Sequence, residues 1–218
     1  MKKIFLLTVL LFGITFFSYS QSSVSSNVVG YVQLSLNQGW SMIANPFLID
    51  GNSSNNTVVA VLGTNFPVET TVYSFNNGAY AAPITYFGPS IGWLGNTNDI
   101  ANSLIPGRGI FVKIPEATTI IFYGDVPQGN LSIPYIAGFN IISSPTAQGG
   151  KIETDLEYSP ITGDLFYQFV SGGGYKAAQS YFGPIYGWLG FEPDIAIGEA
   201  FFLQAKTNGV WTRNFIIP

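Results

Sequence analysis

The sequence predicts an all-β fold built from two pseudo-symmetric repeats, each a small antiparallel sandwich or barrel of about five or six strands with at most one short helix. Three observations carry this prediction: apolar residues alternate with polar ones, turn signals separate the alternating segments, and the pattern occurs twice along the chain. Val32, Leu34 and Leu36 show the alternation, because side chains two residues apart share one face of a strand.

The two repeats are recognised from segments that recur in the same order. Residues 86–95 (YFGPSIGWLG) return almost unchanged as residues 181–190 (YFGPIYGWLG). Other segments align at similar offsets, and the offset drifts in connections rich in Gly, Asn and Ser, as expected after duplication of a domain. We therefore predict one β repeat at 29–127 and a second at 128–218, closely packed because no long flexible linker separates them.

The remaining elements follow from local composition. Strands are predicted around Tyr73, Ile110 and Ile120, where β-branched and aromatic residues alternate with other residues. Each repeat has one short helical candidate, Val58–Leu62 in the first and Thr154–Tyr158 in the second. Turn signals with several Gly, Asn or Pro residues occur at 76–78, 106–109 and 171–174.

The amino-terminal segment is typical of a secretory signal. Lys2 and Lys3 precede the apolar run Ile4–Phe17, and small residues follow at Ser18 and Ser20. We predict a signal peptide at 1–20 and a flexible, Ser-rich tail at 21–28. The mature chain would then lie outside the cell or on its surface, and the periplasm is an alternative location. It would carry no transmembrane anchor after cleavage.

Composition excludes several functional classes. The chain has no Cys and no His, which removes disulfides, thiol and imidazole chemistry and the usual zinc ligands. Without Lys2 and Lys3, six basic residues face twelve acidic ones, so a nucleic-acid partner is not expected. We predict no cofactor.

One resemblance can be stated on specific residues. The order G-W-x-x-I-x-x-P, V-Y-x-F-x-x-G-x-Y and P-G-x-G-x-F-V-K resembles a β-rich module of exported and surface proteins of bacteria. In this chain the three motifs span Gly39–Pro46, Val72–Tyr80 and Pro106–Lys113, and the second repeat carries degenerate copies. The resemblance implies location and architecture, and it carries no catalytic residues.

Four aromatic residues of the recurring segment are candidate ligand contacts: Tyr86, Trp93, Tyr181 and Trp188. Their rings could stack on sugars, as in many exported β modules. The competing interpretation is that they are core residues at equivalent corners of a duplicated fold, because a buried aromatic ring contributes strongly to stability. We favour the core interpretation and keep glycan stacking as the alternative.

Asp99 and Asp194 are the best matched acidic residues of the two repeats. They could form a carboxylate pair for hydrolysis, or each could contribute to a calcium site, but no further motif supports either chemistry. The simpler interpretation is that each residue caps a turn. We regard both residues as weak metal candidates and predict no catalytic residue.

These observations lead to a functional prediction with two alternatives. The leading one is a secreted or cell-surface structural or interaction module, without enzymatic activity, that acts through the faces or edges of its sheets in adhesion, matrix or envelope assembly. Its partners would be further copies of itself or other envelope and matrix proteins. A carbohydrate-binding module is the first alternative, and a carboxylate-pair hydrolase is the second.

Overall fold

A computed structural model describes residues 28–95 and 104–217, and it confirms the all-β fold class. The first half contains β1 (Val29–Leu36), β2 (Gly39–Ala44), β3 (Thr71–Asn76), β4 (Ala79–Tyr80), β5 (Ile84–Tyr86), β6 (Trp93–Gly95), β7 (Gly109–Ile114) and β8 (Thr118–Asp125). The second half contains β9 (Gly129–Tyr135), β10 (Gly138–Ile142), β11 (Gly150–Lys151), β12 (Leu165–Gln168), β13 (Gln179–Ser180), β14 (Asp194–Ile195), β15 (Phe201–Ala205) and β16 (Gly209–Phe215).

Each half combines a two-stranded ribbon with a larger antiparallel sheet. The ribbons pair β1 with β8 and β9 with β16 along their whole lengths. The sheets run in the order β2-β7-β3-β5-β6, with β4 added to β3, and β10-β15-β12-β13. Corresponding strands of the two sheets therefore follow the same order, which supports the predicted duplication, although the duplication itself stays a prediction. Neither sheet closes into a barrel within the described residues.

The strand count differs from the predicted five or six per half. Eight strands form in each half of the described chain, because several pairings are only two residues long, such as β4, β11, β13 and β14. Such brief pairings leave no alternation to read in a sequence, since the period of two needs at least four residues to show.

Each ribbon covers one face of its own sheet and closes a hydrophobic core. In the first half, Ile120 and Phe122 of the ribbon pack with Val72, Ile110 and Val112 of the sheet. The core of the second half is assembled in the same way, and its ribbon residues are Ile133, Tyr135 and Trp211. The fold of each half is therefore a small, unequal sandwich.

The opposite faces of the two sheets pack against each other. Met42 and Phe111 of the first half share a third core cluster with Ile141, Ala200 and Phe202 of the second. Reciprocal backbone hydrogen bonds join the halves: Ala44 N donates to Gly198 O at 2.9 Å, and Ser143 N donates to Gly107 O at 3.0 Å. The face that a single half leaves uncovered is thus partly covered by the other half.

One of the two predicted helices forms. Helix α1 spans Val58–Leu62, and the Thr57 side chain accepts a hydrogen bond from Ala60 N at its start. The prediction of a helix at Thr154–Tyr158 is wrong, because residues 152–156 form turns and the two residues after them are irregular. The Glu192 carboxylate holds Glu153 N and Thr154 N, each at 2.7 Å, and so fixes the start of the turns against a neighbouring loop. Two 3₁₀ helices, Ile49–Gly51 and Ser53–Asn55, complete the helical content of the described residues.

Three sequence predictions fall on residues outside the described ranges: the signal peptide, nearly all of the Ser-rich tail, and Asp99. Among the residues from 28 to 95 and from 104 to 217, no helix has both the length and the apolar character needed to cross a membrane.

Candidate binding cleft

The four aromatic residues proposed from the recurring segment belong mainly to the cores. Tyr86, Trp93 and Tyr181 are buried, and Trp188 is partly buried against the core of the second half. Equivalent ring pairs form in the two halves, with centroid distances of 5.1 Å for Tyr86–Trp93 and 5.2 Å for Tyr181–Trp188.

Internal hydrogen bonds occupy the polar atoms of three of these four side chains. Trp93 Nε1 donates to Gly63 O at 2.7 Å, Tyr86 Oη donates to Thr64 O at 3.0 Å, and Trp188 Nε1 donates to a Glu153 carboxylate oxygen at 2.8 Å. Because three of the four rings are buried, we do not propose this set as a binding platform.

Asp194 lies on the exposed surface in the short strand β14, where its carbonyl oxygen accepts a hydrogen bond from Gln168 Nε2 at 2.7 Å. Its predicted counterpart, Asp99, is not among the described residues, so the distance between the two carboxylates is not defined. Within the described part of the chain, no three His, Cys, Asp or Glu side chains lie close enough together to hold a metal ion.

A different set of aromatic side chains lines an open cleft where the two sheets meet. We call this surface the aromatic cleft. It is formed by Trp40, Tyr73, Phe75, Tyr80 and Phe111 of the first half and by Phe139, Tyr167, Phe169, Tyr175 and Phe202 of the second.

Strand alternation explains why these residues face the cleft. In β3, Val72 points into the core of its own half. Tyr73 and Phe75 lie one and three residues further along the strand, so their side chains point to the opposite face. In β7, Ile110 and Val112 point into the same core, and Phe111 between them faces the other half. Each strand thus serves two different apolar surfaces, which is why it is apolar on both faces.

The rings of the two halves are arranged in matching pairs. Trp40–Phe111 and Phe139–Phe202 are edge-to-face contacts with centroids 5.8 and 5.7 Å apart. Phe75–Tyr80 and Phe169–Tyr175 are edge-to-face contacts at 4.9 and 5.0 Å. The interplanar angles and the centroid distances are therefore similar in the two halves, and the cleft has approximate twofold symmetry.

The floor of the cleft is rigid because the two halves interdigitate there. Phe111 and Phe202 are buried and lie 6.1 Å apart at the pseudo-axis. Phe75 of the first half contacts Phe202 of the second at 5.2 Å, and Phe169 of the second contacts Phe111 of the first at 5.0 Å. Edge-to-face contacts of this kind contribute about 0.5–1.5 kcal/mol each beyond their buried area.

The rim of the cleft exposes large parts of four rings. The exposed fractions are 38% for Trp40, 42% for Phe139, 50% for Tyr80 and 51% for Tyr175. Tyr80 and Tyr175 border two adjoining grooves, of about 470 Å³ and about 750 Å³. The first groove is also lined by Trp40 and Phe169, and the second by their counterparts Phe139 and Phe75.

The charged groups of the cleft are cationic. Lys113 Nζ lies 5.9 Å from the centre of the Trp40 ring, next to the first groove, and Lys176 lines the second groove. No acidic side chain lines either groove among the described residues. Burial, with a smaller contribution from the nearby Tyr175 hydroxyl, raises the pKa of Tyr80 to about 12, and burial also raises the pKa of Tyr175. Both phenols are therefore neutral at physiological pH.

The sequence contained a signal for the cleft. The motif residues that carry the resemblance to exported β modules include Trp40, Tyr73, Phe75, Tyr80 and Phe111, which are the five cleft residues of the first half. The more visible recurrence at 86–95 and 181–190 belongs instead mainly to the cores of the two halves. No family model, curated protein or solved structure matches the chain.

Proposed function

We propose that this chain is a non-catalytic interaction module of an exported protein and that the aromatic cleft is its binding face. The observation that carries the proposal is the pair of open grooves bordered by half-exposed Trp40, Tyr80, Phe139 and Tyr175. Aromatic side chains, tyrosine and tryptophan above all, are enriched at the centres of protein interfaces, where they provide large contact areas with few rotatable bonds.

Folding alone does not require these rings to be exposed. The two sheets already bury Phe111 and Phe202 between them, whereas the rings on the rim add apolar surface that water contacts. Contiguous apolar patches of several hundred Å² are uncommon on monomeric proteins and often mark a binding surface. The predicted signal peptide supports a partner outside the cytoplasm, which fits a role in adhesion or in matrix or envelope assembly.

Carbohydrate binding is the second candidate, and one feature of the cleft favours it. Among the described residues, the hydroxyl groups of Tyr80 and Tyr175 make no hydrogen bond to the protein, although their rings border both grooves. Free hydroxyls beside exposed rings could bind the polar edge of a sugar while a ring packs on its apolar face.

Fluorine NMR of protein labelled with 5-fluorotryptophan tests the proposal. Trp40 lies in the cleft, whereas Trp211 is buried in the core of the second half and serves as an internal control. The Trp40→Phe variant assigns the cleft signal and keeps a ring there, as Phe139 does at the equivalent position. The probes are N-acetyltryptophanamide and oligosaccharides of glucose and of N-acetylglucosamine.

We expect the aromatic amide to shift the Trp40 signal in a saturable manner and to leave the Trp211 signal unchanged. A saturable shift with an oligosaccharide but none with the amide would favour the second candidate. If neither probe moves the Trp40 signal, the cleft is not a binding face and the proposal is wrong.

A further inference from the structure

We propose that the aromatic cleft binds an extended, acidic peptide segment whose two apolar side chains occupy the two grooves. This inference rests on the proposed function and adds the chemical class of the partner. It follows from three properties of the cleft, which are its length, the composition of its walls and the sign of its charges.

The length of the cleft matches a short extended peptide. Its ends are joined through three ring-to-ring steps, Trp40–Phe111 at 5.8 Å, Phe111–Phe202 at 6.1 Å and Phe202–Phe139 at 5.7 Å. An extended chain advances about 3.3 Å per residue, and alternate side chains point to the same face. Two apolar side chains four residues apart are then about 13 Å from each other, which is shorter than the path along these three steps and therefore fits between the two ends of the cleft.

The composition of the walls favours a peptide over a sugar. Apart from Ala81, the side chains that line the first groove are all aromatic, and those that line the second are aromatic or small apart from Lys176. A sugar carries a hydroxyl group on most of its carbons, and each hydroxyl that loses water without a new partner costs about 1–3 kcal/mol. Apolar side chains of a peptide have no such requirement.

The charges of the cleft favour acidic residues in the peptide. Lys113 lies beside the first groove and Lys176 beside the second, so each half contributes one cation although the chain as a whole has a net charge of −4. Carboxylates next to the two apolar side chains would meet these ammonium groups. A basic peptide would be repelled by these two lysines at short range. The net negative charge of the whole chain would attract it only at longer range.

Fluorescence anisotropy with synthetic peptides tests the inference on the full mature chain. The probe is fluorescein-labelled Asp-Phe-Asp-Ser-Asp-Phe-Asp, in which the two Phe residues are four positions apart. One comparison peptide replaces both Phe with Ser, a second replaces every Asp with Lys, and a third places the two Phe next to each other. The oligosaccharides of the fluorine NMR experiment serve as unlabelled competitors.

We expect saturable binding of the probe and binding at least about tenfold weaker for each comparison peptide. The double variant Lys113→Ala/Lys176→Ala should weaken binding of the probe about tenfold and reduce its dependence on salt. Lys151→Ala is the matched control, because Lys151 is an exposed lysine of a short strand outside the cleft, and it should leave binding unchanged.

Two cleft variants keep the experiment decisive if one of them fails to fold. Trp40→Ala removes a rim ring from strand β2, and Tyr175→Ser removes one from an isolated β-bridge that follows the Gly-rich segment. Each variant should weaken binding. A probe that does not bind, while N-acetyltryptophanamide still shifts the Trp40 signal, overturns the peptide class and leaves the proposed function intact. Equal binding of the acidic and basic peptides overturns the role of the lysines, and preferential competition by an oligosaccharide would identify a glycan as the ligand instead.

Discussion

Tyr158 and Asp164 form a buried polar pair inside the core of the second half, where polar groups depend on internal partners. Tyr158 Oη donates to an Asp164 carboxylate oxygen at 3.0 Å, and the same carboxylate accepts Ile161 N and Lys206 N, each at 2.9 Å. Burial is the main reason that the pKa of Tyr158 is raised, and the Asp164 carboxylate adds to the effect. The hydroxyl is therefore protonated at neutral pH and donates its hydrogen bond to Asp164.

We predict that Tyr158→Phe lowers the free energy of unfolding by about 1.5–3 kcal/mol, because a buried carboxylate loses one of its donors. Urea denaturation of the wild type and the variant measures the difference. Tyr167→Phe is the control, since the Tyr167 hydroxyl donates to Gln204 at 3.1 Å in a partly buried position, and its loss should cost less. An equal or larger cost for the control would contradict this account of the core.

The rim tyrosines allow a prediction about alkaline pH. The pKa of Tyr80 is about 12 in the folded chain against 10.0 for the free side chain, so folding favours the protonated phenol. The contribution to stability is complete below pH 10 and is lost as the pH rises from 10 to 12. Ultraviolet titration should show that Tyr80→Phe lacks a component near pH 12, and Tyr175→Phe should lower the pKa of Tyr80. A missing component near pH 10 in Tyr80→Phe would show that the rim is more open than the structure indicates.

At the scale of single elements, strand β7 approaches the other half closely at Gly109. A β-carbon at this position would lie 2.3 Å from the Ala200 β-carbon and 2.7 Å from a methyl group of Ile141, both in the other half. These distances are far below van der Waals contact, so any side chain here must push the two sheets apart. Gly109 therefore sets the spacing between the sheets on which the cleft is built.

We predict that Gly109→Ala destabilises the chain by about 1–3 kcal/mol, the range typical of overpacked cores. Thermal unfolding measures the loss, and fluorine NMR should show a changed Trp40 environment because the sheet that carries it has moved. Gly174→Ala is the matched control, since a β-carbon there meets no atom within 4 Å. Equal stability of the two variants would show that the halves are not packed against each other at β7.

The alternation of residues explains how far the elements could be predicted. Ile110 and Val112 follow a period of two that predicts a strand with a buried face, and both lie in the core of the first half together with Val72. The neighbouring residues Tyr73 and Phe111 were part of the same pattern, but their partners lie in the other half of the chain. Because that packing is set by tertiary structure, the sequence indicated two apolar faces without showing what the second face contacts.

The site was harder to predict than the fold for a related reason. The recurrence at 86–95 and 181–190 is easily seen, because the turns and the buried Trp93 restrict which amino acids these segments can contain. The cleft residues are scattered over strands and turns that only the folded chain brings together. Whether a ring such as Trp40 is half exposed or buried depends on how the opposing sheet is placed, and local sequence does not contain this information.

At the scale of the whole molecule, the chain has other exposed apolar surfaces that compete with the cleft as binding sites. Tyr31 and Tyr123 face solvent on the outer side of the first ribbon, and Ile185 and Tyr186 project from the loop that follows β13. These residues lie on one outer face or one loop, whereas the cleft is concave and receives aromatic rings from both halves. Concave apolar sites bury much more of a ligand than flat ones, and this difference is the reason for preferring the cleft.

Photo-crosslinking with 4-benzoylbenzoate, a small anionic aromatic probe, identifies the preferred binding surface of the chain without assuming a peptide or a sugar. The mature chain is irradiated with a low concentration of the probe, and the modified residues are located by mass spectrometry. We expect modification at Trp40, Tyr80, Phe139 and Tyr175, and loss of that modification when N-acetyltryptophanamide is added. Preferential modification of Tyr31, Tyr123, Ile185 or Tyr186 would contradict this expectation.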